Sequence, residues 1–448
     1  MAVSHASHAP RPASRGRGGQ HGILPDTSLR DLIQRRAIHA SRPISDVQIQ
    51  PASVDLRLGT TAYRLRSSFL PEWEERHPSP GGEGTPRESE QLLRCLAKDD
   101  LVMYQMDLTG GAILEKRNVY LVPLLEQLAL PEGIRGRTNP RSSTGRLDIF
   151  TRVVTDLNVG FDEIRSGYCG PLYLEIVPRS FTIRVQTGQS LNQLRLMTGS
   201  PTVSDADLHL LHRASTLLYH NDDDDRAESR PLEARALRVR QGLSLRIDVS
   251  GAASRDHLVG YRAKKNSQVV DVSTKRHYEA LDFWEPIYRH PNNTLLLEPE
   301  EFYILASKER INVPAGYAAE MIAYEAAFGE LRTHYAGFFD PGFGADDGPR
   351  KGTQVVLEVR PHDVPFMIRD GQTFFKVVYE RMAAVPERLY GSRIESSYHR
   401  QGLTLSRHFK HAPGMSPAPW IPAFAGMHAP GAPCDQGTAG GTTRGDSP

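Results

Sequence analysis

Apolar residues recur along this chain in short alternating runs rather than in long helical stripes. Positions 53–58 read Ser-Val-Asp-Leu-Arg-Leu and 181–185 read Phe-Thr-Ile-Arg-Val, with similar runs at 119–125 and 172–177. Gly and Pro break the pattern at short intervals. A period of two turns one face of a strand to a core and the other to solvent, so the texture predicts a mainly β fold of short strands, a barrel or sandwich. A short helix opens the folded part, with caps available at Asp26 to Ser28 and Leu29, Leu32, Ile33 and Ala37 on one face. A second helix is expected over 205–219 through Leu208, Leu211 and Leu218. Asn221 and the four aspartates at 222–225 end it; such close neighbours rarely converge on one ion, and a solvated loop is expected.

The pattern occurs twice. Pro131 and Gly133 match Pro314 and Gly316, while Glu175, Pro178, Gly188 and Gln189 match Glu358, Pro361, Gly371 and Gln372. Each pair stands 183 positions apart (358 − 175 and 371 − 188, for example). Leu precedes the glutamate in both copies, in Tyr173-Leu-Glu-Ile176 and Val356-Leu-Glu-Val359. One β-domain is therefore present in two copies, at 22–200 and 238–410, joined by a linker at 201–237. Residues 1–21 form an extension rich in Arg, Ser and His without an apolar signal core, 71–92 read as an inserted loop, and 411–448 are Pro/Gly-rich without periodicity. Both ends are expected to be disordered.

Charge narrows the field. The 448 residues carry 54 Lys and Arg against 53 Asp and Glu, which leaves no broad basic face for nucleic acid. No apolar run has the length of a membrane span. Cys95, Cys169 and Cys434 are too scattered for a disulfide framework or a zinc site, and they suit a reducing cytoplasm.

The densest chemistry lies in Arg141-Ser-Ser-Thr-Gly-Arg146, where two guanidinium groups and two serine hydroxyls offer donors to phosphate oxygens. The competing reading is a capped, solvated turn. No Gly-rich Walker pattern accompanies it, which disfavours P-loop phosphoryl transfer. Glu175 stands in an otherwise apolar strand, either as a general base or as a structural carboxylate paired with a buried arginine. The second copy lacks the cluster, reading Ala-Tyr-Glu-Ala-Ala-Phe at 323–328, but holds an Asp340-Pro-Gly342 turn after His334.

Together these residues resemble the dCTP deaminase branch of the trimeric dUTPase-like superfamily, in its double-length bacterial form. Ile49-Gln-Pro-Ala-Ser-Val-Asp-Leu-Arg-Leu-Gly59 is similar to the family's first motif, Arg141 to Arg146 to its phosphate-binding motif, and Leu174-Glu175 to the strand of its catalytic glutamate. Gly188-Gln-Ser-Leu-Asn-Gln193 is similar to the strand that follows. In the second copy, Ala336 to Phe343 resembles the nucleoside-binding hairpin, and Tyr390-Gly-Ser, Ser396-Ser-Tyr-His-Arg-Gln401 and Ser406-Arg407 the C-terminal lid. The family's lid lysine falls near Ser397, and the first copy's hairpin lacks Asp-Pro-Gly.

The resemblance implies two tandem dUTPase-like β-barrel or β-clip domains. It implies hydrolysis of dCTP to dUTP and ammonia, a precursor step for thymidine nucleotides, with no zinc and with Mg²⁺ carried on the triphosphate. Glu175 would act as base with Ser142 and Arg146. Substrate contacts would come from Arg141, Ser142, Ser143, Arg146, Gln193, Asp340, Tyr390, Tyr398 and Gln401, with dTTP a possible inhibitor. Because the cluster and the lid fall on different copies, a composite site is expected, in a trimer or a pseudo-oligomeric monomer. Hydrolysis of dUTP, instead of or besides deamination, and a non-catalytic nucleotide sensor are the alternatives.

Overall fold

A computed structural model of the protein describes residues 21–71, 91–156, 160–221, 229–252, 254, 256–322, 331–333, 337–345, 351–391, 398 and 402–410. The terminal extensions, most of the 71–92 insertion, the four aspartates, 323–328, His334, Ser396, Ser397, Arg400, Gln401 and Cys434 lie outside the described residues.

The chain is mainly β, as its alternation predicts. In the first repeat, Ser190–Thr198 pairs antiparallel with Val54–Arg57 on one side and Ile134–Pro140 on the other. A second sheet runs Val102–Asp107, Thr61–Leu65, Val119–Ala129, Cys169–Pro178, Ile149–Thr155. Side chains from both sheets meet in one core, including Val54, Leu56, Val122, Leu174, Ile176, Leu194 and Leu196. Each such buried side chain contributes roughly 1.5–3 kcal/mol.

The second repeat reuses the plan. Thr353–Pro361 lies on Tyr303–Ile311 as Cys169–Pro178 lies on Val119–Ala129, and Glu358 sits opposite Ile304 as Glu175 sits opposite Leu121. Gly188 and Gly371 explain why both copies keep glycine there: their φ angles of 85° and 75° fall in the left-handed region.

The expected linker is built into the second repeat. Ser204 caps a helix at Asp205–Ala214 by accepting from the Asp207 amide. The helix ends before 219 because Leu218–His220 instead pairs with Tyr303–Ile311. Leu208, Leu217 and Leu218 are buried in the second core. This helix and strand mirror the helix Asp26–Gln34 and the strand Ile38–Ala40 on Val119–Ala129, so the second copy starts near 204.

The joint between repeats is apolar and ionic by turns. Ile183–Val185 takes Val270–Asp271 of the second repeat as a parallel neighbour. Phe181 packs with Trp284 (5.3 Å between centroids), Phe283 (5.9 Å) and Phe409 (6.4 Å). Arg360 of the second repeat pairs with buried Asp148 of the first and donates to Ser180 Oγ at 2.9 Å. Among the described residues, no helix is long and apolar enough to cross a membrane.

Candidate active site

The phosphate-cluster segment turns because its strand ends in Pro140. Arg141 remains extended (φ −67°, ψ 148°) and its amide donates to Leu191 O at 3.0 Å. Ser142–Gly145 then makes one helical turn, with the amides of Thr144 and Gly145 donating to Arg141 O. This turn sets Arg141 and Arg146 at its two ends. Arg141 pairs with Asp55 Oδ2 at 2.9 Å, on the strand of the first motif. Arg146 is 3% exposed, donates to Thr404 O at 2.9 Å and lies 3.9 Å from the centroid of the Tyr398 ring.

A pocket opens between this turn and the second repeat. Arg141, Ser142 and Arg146 line one wall; Asp340, Glu358, Tyr390 and Tyr398 line the other. Glu358 is 5% exposed and comes close to the helical turn: a methyl group on Gly145 would stand 3.1 Å from both carboxylate oxygens. A side chain at 145 would require the carboxylate to shift by a few tenths of an ångström. Burial pushes the Glu358 pKa up to about 8, against the attraction of Arg146, and Asp148 adds repulsion.

That shift has a sign in stability. The folded protein holds the Glu358 proton more tightly than the unfolded chain, so this contribution is full below the ordinary carboxylate pKa and is lost as pH rises through about 8. Glu358→Gln is expected to flatten that part of the stability curve, a change that denaturant titrations between pH 5 and pH 9 would read.

Asp340 is carried by the Asp-Pro-Gly turn, closed by the Phe343 amide on Asp340 O at 3.0 Å, with Gly342 at φ 94°. Burial raises its pKa to about 6 even though Arg195 stands beside it at 3.4 Å. Arg195 comes from the first repeat and is fully buried; it also donates to Ala319 O (3.0 Å) and Phe339 O (3.3 Å) and lies 4.0 Å from the centroid of the Phe338 ring. Tyr390 is fixed by its amide on Pro341 O at 2.9 Å and by its ring against Phe343 at 5.3 Å.

Glu175 lies elsewhere. It is fully buried, and its carboxylate accepts from Arg152 Nη2 at 2.7 Å, Arg152 Nε at 3.1 Å and Ser68 Oγ at 2.8 Å. The Arg152 guanidinium stacks 3.5 Å from the Phe161 ring centroid. It is a carboxylate paired with an arginine, the second of the two roles its sequence allows, and it does not line the pocket. The cause is the fusion: the cluster of the first copy faces the glutamate strand of the second. The Gln193 side chain, which accepts from Ser53 Oγ at 3.4 Å, is likewise absent from the lining, and Ser143 sits behind it, with its carbonyl bound by Ser406 Oγ at 2.8 Å. Glu358 and Arg195 are the residues that motif reading passes over; the 183-residue spacing is the signal that points to Glu358.

A duplicated β-fold whose one described acid-and-arginine pocket draws a wall from each copy defines a fused-repeat protein with a composite site. The model for "2'-deoxycytidine 5'-triphosphate deaminase (DCD) N-terminal domain" matches residues 20–200, and that for the C-terminal domain matches residues 204–409. The crystal structure of 2'-deoxycytidine 5'-triphosphate deaminase from Agrobacterium tumefaciens is similar to this chain at 43% identity and a TM-score of 0.70, covering 81% of this chain and 99% of that one. Shorter relatives match as well. A "dCTP deaminase, dUMP-forming" from Sulfurihydrogenibium sp. is 28% identical over 173 residues, 38% of this chain and 81% of that protein. A "dCTP deaminase" from Hyperthermus butylicus is 25% identical over 183 residues, 41% of this chain and 89% of that protein. The chain belongs to the dCTP deaminase family.

Proposed function

We propose that the protein hydrolyses dCTP to dUTP and ammonia, with Glu358 in place of Glu175 as the general base. The observation that carries this is the Glu358 carboxylate set against Gly145 and Arg146 inside the composite pocket. Ionised Glu358 takes a proton from water as the water oxygen bonds to C4 of cytosine. Electron density moves to N3, which receives the proton; a second proton transfer through the carboxyl group lets the exocyclic nitrogen leave as ammonia, and the C4 hydroxyl becomes the uracil carbonyl. Arg146 and Ser142 steady the attacking oxygen and the charge that develops. Asp340 and the Phe338–Phe339 backbone flank the base, and Tyr390 and Tyr398 close over the nucleotide. The substrate is dCTP as its Mg²⁺ complex, the ion riding on phosphate oxygens, and no step passes through zinc. The product dUTP would feed thymidine nucleotide synthesis.

A base that titrates near 8 in the free protein predicts kcat/KM rising about tenfold per pH unit below that value and levelling above it. A flat profile from pH 6 to pH 9 would count against Glu358.

A second reading rests on relatives such as the Sulfurihydrogenibium protein, whose name describes dUMP formation. Asp340, buried at the hairpin, is the group available to direct water at phosphorus. Incubation of purified protein with dCTP and Mg²⁺, following ammonia and separating nucleotides, tests both. Equimolar ammonia and dUTP is the expected result. Appearance of dUMP and pyrophosphate, abolished by Asp340→Asn, would establish the second reading, and tight binding without turnover would leave a nucleotide sensor.

A further inference from the structure

Two residues before Tyr390 of the pocket wall stands Arg388, whose side chain crosses to the first repeat. Its Nη1 and Nη2 donate to the two carboxylate oxygens of Asp46 at 2.7 and 3.1 Å, a fork-on-carboxylate geometry that fixes direction as well as distance. Its Nε lies 3.5 Å from Asp26 Oδ2, and Nη2 also donates to Ile49 O at 3.4 Å. The Glu387 amide donates to Asp26 Oδ1 at 2.9 Å. Arg30 completes the group, donating to Asp26 Oδ2 at 3.1 Å and to Asp46 Oδ1 at 3.2 Å, with Glu387 Oε2 3.4 Å away. Asp26 is fully buried, so it needs the counter-charge and donors that this group supplies.

Comparison of the two repeats sets this contact apart. The helix Asp205–Ala214 of the second repeat also opens on an aspartate, but the Asp205 carboxylate accepts from the Gln241 and Gly242 amides of its own repeat at 2.8 and 3.0 Å. Asp26 opens its helix in the same way and turns its carboxylate across the joint instead, to the segment that enters the pocket wall. From Arg388 the chain passes only Leu389 before it reaches Tyr390. Both are packed on the hairpin of Asp340: a methyl group on Gly342 would stand 3.0 Å from Leu389 Cβ and 3.1 Å from the Tyr390 amide nitrogen. Tyr390 is therefore fixed from two sides, by the hairpin beneath it and by the guanidinium clamp just ahead of it.

We propose that Arg388 is a positioning residue for the pocket: clamped by Asp26 and Asp46 of the first repeat, it holds Tyr390 in the wall, so that the N-terminal helix sets how tightly the nucleotide is held. This rests on the deaminase reading for the identity of the nucleotide. A wall residue that meets the nucleotide alike before and during the reaction changes KM and leaves kcat in place. Arg388 touches no reacting atom, and its effect on binding is limited to what Tyr390 itself contributes.

The test is a double-mutant cycle in the full chain, with Arg388→Ala, Tyr390→Ala and the pair together. Arg388→Ala is expected to raise KM for dCTP about tenfold, the scale of one charge-assisted hydrogen bond, with kcat within about twofold of wild type. In the Tyr390→Ala background the same change should add nothing, because the clamp acts through that side chain. Arg388→Lys should recover part of the affinity, since it restores the charge without the fork. Asp46→Asn, at an exposed acceptor whose change leaves the fold standing, should raise KM by a smaller factor in the same direction. Arg35→Ala, which breaks an exposed pair with Asp31 at the far end of the same helix, should leave KM unchanged. An equal rise in KM with and without Tyr390, or no rise at all, would make Arg388 a structural residue of the joint and overturn the proposal. Calorimetric titration of dCTP into the same set built on Glu358→Gln reads binding without turnover. If the unaltered protein releases no ammonia, yet affinity falls with Arg388→Ala only where Tyr390 is present, the clamp stands and the deaminase reading fails.

Discussion

Glu358→Gln should lower kcat for ammonia release about 10²- to 10⁴-fold at saturating dCTP, the usual range for removing a general base. Glutamine keeps the shape that fits against Gly145, so the pocket stays formed, but its amide accepts no proton from water. Glu175→Gln should do the opposite. Its carboxylate meets Arg152 and Ser68 rather than the pocket, so turnover should stay within a few-fold of wild type. Stability should fall by about 2–3 kcal/mol, because the Arg152 guanidinium loses a charged acceptor inside the first repeat. The two variants thus exchange phenotypes between an activity assay and a calorimeter. Loss of turnover in Glu175→Gln with Glu358→Gln still active would reverse the assignment.

Much of the fold is legible before the structure, and the reasons are local. Period-two alternation at 53–58 and 181–185 marks a strand in both places, half-buried at 181–185 but buried on both faces at Val54–Leu56, and the paired glycines at 188 and 371 mark turns that need a left-handed residue. The cluster at 141–146 is legible for the same reason, since its chemistry lies within six consecutive residues. Which glutamate faces that cluster is not local. Glu175 and Glu358 stand at equivalent positions on equivalent strands, and they differ in what the fold sets around each carboxylate. A spacing in sequence says which residues are equivalent but not which interface survives fusion. The linker assignment falls short for a related reason. Leu208, Leu217 and Leu218 have too little periodicity to show a strand, and Leu218–His220 is a strand because Tyr303–Ile311 offers it an edge.

Both walls of the described pocket come from one chain, one from each repeat. Arg141, Ser142 and Arg146 come from the first repeat; Asp340, Glu358, Tyr390 and Tyr398 come from the second. The covalent link fixes the encounter that separate domains would have to make by association. The joint is then free to specialise, with a hydrophobic side around Phe181 and Trp284 and buried ion pairs at Arg360 and Arg195.

Arg195→Met is expected to cost about 3–5 kcal/mol, the range for removing one partner from a buried ionic group. Arg195 reaches Asp340, Glu380, Ala319 O and Phe339 O together from the first repeat. Methionine fills much of the volume beside Phe338 but leaves two buried carboxylates with less counter-charge, and Asp340, already raised to about 6, should climb further and bind its proton near neutral pH. The loss should therefore be smaller at pH 5.5, where Asp340 is protonated more readily, than at pH 8. Urea titrations at the two pH values read this directly. Adding Asp340→Asn to Arg195→Met should return part of the stability at pH 8, because the amide removes a charge that no longer has its partner. Equal losses at both pH values, with no recovery in the double variant, would mean that Arg195 holds the joint by packing and carbonyl contacts alone, and that the hairpin carrying Asp340 is positioned without it.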